Sequence, residues 1–278
     1  MNKKIGIILA LVLVAFLVMG TASAGLFDFL GGDNADDAIA NDDDTFIVGF
    51  DAEFPPYGYK DDSGNYVGFD LDLAKEVCER NNWTFVAQPI DWDAKDAELD
   101  SGSIDCIWNG FTINGREDDY TWTDAYIDNK QVIVVKSDSG IDSLDDLAGK
   151  TVETQKDSSA LAALQGDNKT LADTFATLTE VADYNTAFMD LESGACDAVA
   201  IDIGVAQYQV NSKDNSDDYK ILDDSISSEQ YGVGFKLGNE DLRDKVQATL
   251  DEMFADGTVL KIAENYSDAG VPGSLITE

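Results

Sequence analysis

The chain has 278 residues, with 55 Asp and Glu against only 18 Lys and Arg, so its formal charge is −37. That charge argues against nucleic acid and anionic membrane surfaces as partners. No histidine is present, which excludes Ser-His-Asp and Cys-His catalysis, histidine general bases and histidine-ligated zinc.

Residues 1–24 read as a secretory signal. Lys3 and Lys4 precede an apolar run, Ile5 to Met19, too short for a comfortable membrane span, and Ala22-Ser23-Ala24 offers a small-residue cleavage site. An uncleaved N-terminal anchor is the alternative. Either way the destination is the cell envelope, in the periplasm or on the extracellular face. Residues 25–44 contain Gly31-Gly32 and the acidic run Asn41-Asp42-Asp43-Asp44, and are expected to form an acidic, disordered linker. Cys78, Cys106 and Cys196 are odd in number, widely spaced and without a CxxC pair. They read as buried unpaired thiols, with a Cys78–Cys106 bridge as the alternative.

The folded part opens with Thr45 to Phe50, a β-branched and aromatic run typical of a buried strand. Asp51-Ala52-Glu53-Phe54-Pro55-Pro56-Tyr57 ends it, since the two prolines stop a strand and fix a loop. Asp61 to Tyr66 has the turn residues of a hairpin tip. Gly68-Phe69-Asp70 opens a helix to about Asn81, with Asp70 the expected N-cap and Leu71, Ala74, Val77 and Cys78 on one face. Thr84 to Ile90 is the next strand. A short helix after Asp91-Trp92-Asp93 runs to Leu99, and Ile104 to Ile107 is another strand. The pattern then repeats. Lys130 to Lys136 reads as a strand, Gly149 to Val152 begins a second alternation, and Ser158 is a candidate N-cap. Thr186 to Gly194 is predicted helical, Asp197 to Ile201 a strand delivering Asp202, and Gly204 to Val210 helical. Tyr231 to Phe235 is a strand, Asp241 to Ala255 a long amphipathic helix with Leu242, Val246, Leu250, Met253 and Phe254 in the core, and Val259 to Tyr266 a last helix. Strands alternating with helices predict an α/β fold with parallel strands, whose ligands sit beyond the strands' carboxyl ends. Asp51, Trp92 and Gly110 to Thr112 each follow a predicted strand and should converge on one rim.

Arg116 closes the stretch Trp108-Asn109-Gly110-Phe111-Thr112-Ile113-Asn114-Gly115-Arg116. It is one of three arginines in the chain, with Arg80 and Arg243, which sit among charged helix residues. A guanidinium fork suits a carboxylate. A salt bridge to Glu117 or Asp118 is the plainer alternative.

Taken in order, Glu53-Phe54-Pro55-Pro56-Tyr57, Gly68 to Ala74, Trp108 to Ile113 with Arg116, Asp197-Ala198-Val199 with Asp202, and Tyr231 to Phe235 resemble the amino-acid-binding extracytoplasmic receptors of ABC importers, solute-binding protein family 3, polar amino acid branch. The resemblance covers roughly Thr45 to Tyr266. It implies the two-lobed periplasmic-binding-protein-like fold of type II, with lobe 1 from residues 45–133 plus 233–278, lobe 2 from 134–232, and hinge crossings near Val132–Lys136 and Gly232–Phe235. It further implies that Arg116 grips a ligand α-carboxylate, that Gly110 and Thr112 hold the amino-acid head, with Asn109 and Phe111 of the same stretch also counted as ligand-binding, and that Asp202 takes the α-ammonium from the other lobe. Asp51, Phe54 and Trp92 would line the side-chain pocket, and Gln155, Ser158 and Ser159 would meet the carboxylate. In one place the chain departs from the family pattern: Asp157 stands where a glycine is usual, adding a negative charge near the expected carboxylate. The family implies a monomeric receptor for a polar L-amino acid, partnered by a membrane-embedded ABC permease, with no cofactor, no metal and no catalysis. The alternative is a small-acid dehydratase, similar to cyclohexadienyl dehydratase, on the same fold, with Glu53 or Asp51 as its acid or base.

Overall fold

A computed structural model describes residues 45–277; the signal and linker expected over residues 1–44 lie outside them. The chain runs from β1 (Thr45–Phe50) through a three-stranded meander of β2 (Glu53–Phe54), β3 (Gly58–Lys60) and β4 (Tyr66–Val67) to helix α1 (Phe69–Asn81). It continues through β5 (Thr84–Pro89), α2 (Lys95–Ser101), β6 (Cys106–Ile107) and β7 (Tyr120–Trp122). The next part holds β8 (Ile127–Lys136), β9 (Thr151–Gln155), α3 (Ser159–Gln165), α4 (Lys169–Ala172), β10 (Thr177–Val181), α5 (Tyr184–Ser193), β11 (Ala198–Asp202), α6 (Ile203–Asn211), β12 (Tyr219–Ile221) and β13 (Ser227–Tyr231). The chain ends with β14 (Gly234–Lys236), α7 (Glu240–Ala255), α8 (Thr258–Ala263) and α9 (Val271–Ser274).

Besides the meander, the described residues form two larger sheets, one per lobe. The first has the order β5-β1-β6-β14-β7, with β5, β1 and β6 parallel and β14 antiparallel to both of its neighbours. The second has the order β10-β9-β11-β8-β12, with β13 also on β8; β10, β9 and β11 are parallel and β8 opposes β11. The parallel strands of each sheet deliver Asp51, the Trp92 loop and Asn109 from one side and Gln155 and Asp202 from the other.

Sequence expectation and structure part at a few places. The chain crosses between sheets at residues 123–126 and 232–233. The first crossing precedes the expected Val132–Lys136, because β8 already pairs in the second sheet from Ile127. Asp70 is not the cap of α1. That place falls to Gly68, at φ 144, while Asp70 turns inward with no exposed surface. Helix α5 starts at Tyr184 rather than Thr186, because the Asp183 carboxylate accepts from Thr186 N at 2.8 Å and caps it. In α7, Val246, Leu250 and Met253 are fully buried and Leu242 and Phe254 partly so. The three cysteines are free and buried.

Period-two alternation explains how β8 serves the core. Val132 and Val134 enter the large cluster that also contains Phe50, Tyr57 and Trp108, whereas Ile133 and Val135 enter a smaller one on the opposite face with Leu147, Ala160 and Leu164. A strand buried on both faces reads as a continuous apolar run, which is why residues 132–135 are all Val or Ile.

Candidate functional site

Ten of the twelve residues singled out from the sequence line one cavity between the lobes: Phe54, Trp92, Asn109, Gly110, Thr112, Arg116, Gln155, Ser158, Ser159 and Asp202. The space between these residues amounts to about 290 Å³, open solvent included. Phe111 stands behind this wall, fully buried, with its ring 4.8 Å from Trp122 and 5.0 Å from Tyr120. Asp51 also lies behind the wall. Its Oδ2 accepts from Gln155 Nε2 at 2.6 Å and its backbone N–H donates to Asn109 Oδ1 at 2.5 Å. Burial pushes the Asp51 carboxyl up to about 6.

The lobe 1 wall is shaped by Gly110, at φ 55. A Cβ here would meet Phe54 Cε1 at 2.8 Å and Tyr231 Cε2 at 3.1 Å, so only glycine fits both the turn and the space. Asp70 holds the turn from beneath. Its carboxylate accepts from Gly110 N at 2.5 Å and from the Tyr126 hydroxyl at 2.8 Å. Complete burial raises its pKa to about 7.

Arg116 crosses the mouth of the cavity. Its NH1 donates to Thr112 O at 3.2 Å and Ser159 Oγ at 3.1 Å, and its NH2 to Asp157 O at 3.3 Å, while the guanidinium lies 5.2 Å from the Phe111 ring centroid. Among the described residues no carboxylate pairs with it, neither Glu117 nor Asp118. Arg80 and Arg243 are both ion-paired. In a chain this acidic, an arginine without an acid is a cation held available.

Asp202 answers it from lobe 2. Its Oδ1 accepts from Asn129 Nδ2 and Gln131 Nε2, both at 2.7 Å, and from the Tyr231 hydroxyl at 2.5 Å. No hydrogen bond among the described residues reaches Oδ2. Burial first, and the neighbouring Glu229 second, raise the Asp202 pKa to about 7. Glu229, Asn129 and Gln131 did not stand out in the sequence. Asn129 and Gln131 are alternate residues of β8, and their cross-strand partners are Glu229 on β13 and Asp202 on β11. The signal that marks them is two amides at period two on the buried face of β8, in line with Ile127 and alternating with the exposed Asp128 and Lys130. Glu229 also accepts from the Thr112 hydroxyl at 2.8 Å, tying the lobe 1 wall to this network.

A cavity between two α/β lobes, with an unpaired guanidinium on one wall and a half-used carboxylate on the other, is built for a zwitterion. Residues 46–269 match the family model described as bacterial extracellular solute-binding proteins, family 3. The chain belongs to this family. Among its relatives, the L-cystine-binding protein TcyJ of Escherichia coli strain K12 is 30% identical over 82% of this chain and 84% of its own length. The histidine-binding periplasmic protein of the same strain is 31% identical over 81% and 88%. A substrate-binding protein of an ABC uptake transporter from Streptococcus pneumoniae, solved with bound histidine, superposes with a TM-score of 0.77 at 32% identity, covering 80% of this chain and 92% of that one. The chain is thus an amino-acid solute-binding protein, as are the relatives named here. Among the described residues no helix is long and apolar enough to cross a membrane.

Proposed function

We propose that this family 3 receptor binds an L-amino acid with a cationic side chain, outside the cytoplasm and as a monomer, and presents it unchanged to a membrane-embedded ABC permease. The observation that carries the reading is the opposition of Arg116 and Asp202 across one cavity. The guanidinium takes the α-carboxylate and Asp202 Oδ2 the α-ammonium, each charge-assisted bond contributing roughly 1.5–3 kcal/mol. Because the two residues belong to different lobes, both are satisfied only when the lobes are shut. Residues 123–126 and 232–233, where the chain passes between sheets, serve as the hinge.

The side-chain preference rests on what lies past Trp92. This ring is also a wall of a second, larger cleft, lined by Asp51, Glu53, Asp91, Glu98, Glu180 and Asp183, with Lys156 the basic residue among its lining. A side chain leaving the cavity along Trp92 meets that field, which favours a guanidinium, ammonium or imidazolium and repels a carboxylate. Calorimetric titration with arginine, lysine, histidine, glutamine and glutamate tests this, with agmatine as the analogue lacking the α-carboxylate. Arginine or lysine should bind tightest and agmatine at least tenfold more weakly. Tighter binding of glutamate would remove the cationic preference, and no binding of any amino acid would remove the reading itself.

A further inference from the structure

Lys95 is 2% exposed, an unusual state for a lysine. It is the first residue of α2, where the helix dipole disfavours a cation, and its ammonium lies 5.2 Å from the Trp92 ring centroid. Among the described residues its hydrogen-bond partner is the Asp157 carboxylate, which belongs to the other lobe. Asp157 is itself unusual. It has φ 59, a left-handed conformation that among the described non-glycine residues is shared only with Asn82, the C-cap of α1. Its backbone carbonyl accepts from Trp92 Nε1 at 3.2 Å and Arg116 NH2 at 3.3 Å. Three lobe 1 side chains therefore converge on one lobe 2 residue. Beside them Lys156 of lobe 2 pairs with Asp93 of lobe 1 at 2.5 Å, so Asp93 and Lys95 face Lys156 and Asp157 with crossed charges. Neither Lys95 nor Asp157 lines the cavity.

We propose that Lys95 and Asp157 form an interlobe latch that sets how long the ligand is retained without touching it. Opening the lobes separates the ammonium from its carboxylate, so the pair favours the closed form alone. Its value is raised by the overall charge: at −37 the lobes repel one another, and two of the chain's few lysines sit on this lip. The Asp157 side chain requires a backbone conformation that glycine would adopt more easily, and its carboxylate is what glycine could not supply.

The inference rests on the amino-acid reading above, and the test separates the two. Lys95→Met keeps the buried stem and removes the charge. Asp157→Asn keeps a residue tolerant of positive φ, together with the carbonyl contacts, and removes the charge. Ligand dissociation followed by stopped-flow tryptophan fluorescence should be about tenfold faster in each single variant and no faster in the double variant, since both remove the same pair. Association rates should change less than threefold, and raising salt should speed dissociation in wild type more than in the variants. A second readout needs no ligand. Pulsed electron-resonance distances between labels at Ser101 and Lys169, both exposed and in different lobes, should show a smaller closed population in the variants. If wild type binds no amino acid, the functional reading falls and the latch is judged on these distances alone. Wild-type dissociation rates in folded variants, additive effects in the double variant, or identical distance distributions would each overturn the latch.

Discussion

Asp202 and Glu229 share their donors: Asn129 Nδ2 and Gln131 Nε2 each lie 2.7 Å from Asp202 Oδ1 and 2.8 Å from Glu229 Oε1. Among the described residues the remaining side-chain donors to the pair are the hydroxyls of Tyr231, to Asp202, and Thr112, to Glu229. Two acids thus sit together at 4% and 7% exposure with only neutral donors between them. The positive charge this pair lacks is the one that, in the function proposed above, an α-ammonium brings.

This arrangement gives stability and binding opposite responses to pH. Burial lifts Asp202 and Asp70 to about 7 and Asp51 to about 6, all above the unfolded value of 3.8. Between pH 4 and 7 the folded, ligand-free protein therefore holds more protons than the unfolded chain. Stability from these groups is fully present below their unfolded pKa and is lost as pH rises through 6 to 7, each group contributing up to about 1.4 kcal/mol per pH unit. The urea midpoint should rise as pH falls from 8 to 5. Ligand affinity should move the other way, because the ammonium favours ionised Asp202. Calorimetry near pH 6.5 in buffers of different ionisation enthalpy should register protons released on binding.

Arg116→Lys preserves charge and loses the planar fork. It should cost at least tenfold in affinity, about 1.4 kcal/mol. Asp202→Asn keeps an oxygen for the amides and Tyr231 but removes the counter-charge. Its loss should be at least as large, and should vanish for a ligand analogue lacking the α-amino group. Titration calorimetry on both variants, with circular dichroism to verify folding, decides it.

Trp92 should report binding. Trp108 is fully buried, Trp83 packs on Phe46 at 5.4 Å, and Trp122 donates to Arg116 O at 3.0 Å. Only Trp92 both lines the cavity and reaches across to the other lobe. Adding ligand should change the intrinsic fluorescence, Trp92→Phe should abolish most of that change, and Trp92→Ala should weaken binding at least tenfold.

Asp70→Asn should weaken the protein and its site together. The amide that replaces one oxygen would face a backbone or hydroxyl donor, leaving a buried group unpaired at a cost of about 1–3 kcal/mol. Urea unfolding should show that loss, and affinity should fall because Gly110 is no longer pinned.

Much of the site was readable because its residues close or follow strands and their order along the chain carries the pattern: Asp51 after β1, Gly110 after β6, Gln155 closing β9 and Asp202 closing β11. Its supporting residues were hidden by non-local pairing. Glu229 sits in an alternating strand where a glutamate suggests a solvent face, and only its register with Asn129 on β8 turns it inward. Asp70 sits where an N-cap is expected, and only the packing of Gly110 against α1 explains its direction. Lys95 resembles a surface lysine until lobe 2 covers it. Asp157 was visible as an oddity, but nothing local indicated that its carboxylate reaches Lys95.

The place of β14 bears on how the protein is made. This strand, residues 234–236, lies in the middle of the first sheet, between β6 and β7, yet it emerges only after the whole of residues 127–231. Lobe 2 is continuous in sequence and can complete its sheet from its own residues. Lobe 1 must keep a gap between β6 and β7 until the chain returns, so its assembly carries the longer loop closure and the slower step. A polypeptide that emerges from its N-terminus begins with the lobe that finishes last. During that interval the flanks of β6 and β7 are unpaired edges, exposed to pairing with other chains. A truncation before Gly234 would leave lobe 2 able to fold and lobe 1 open at its centre.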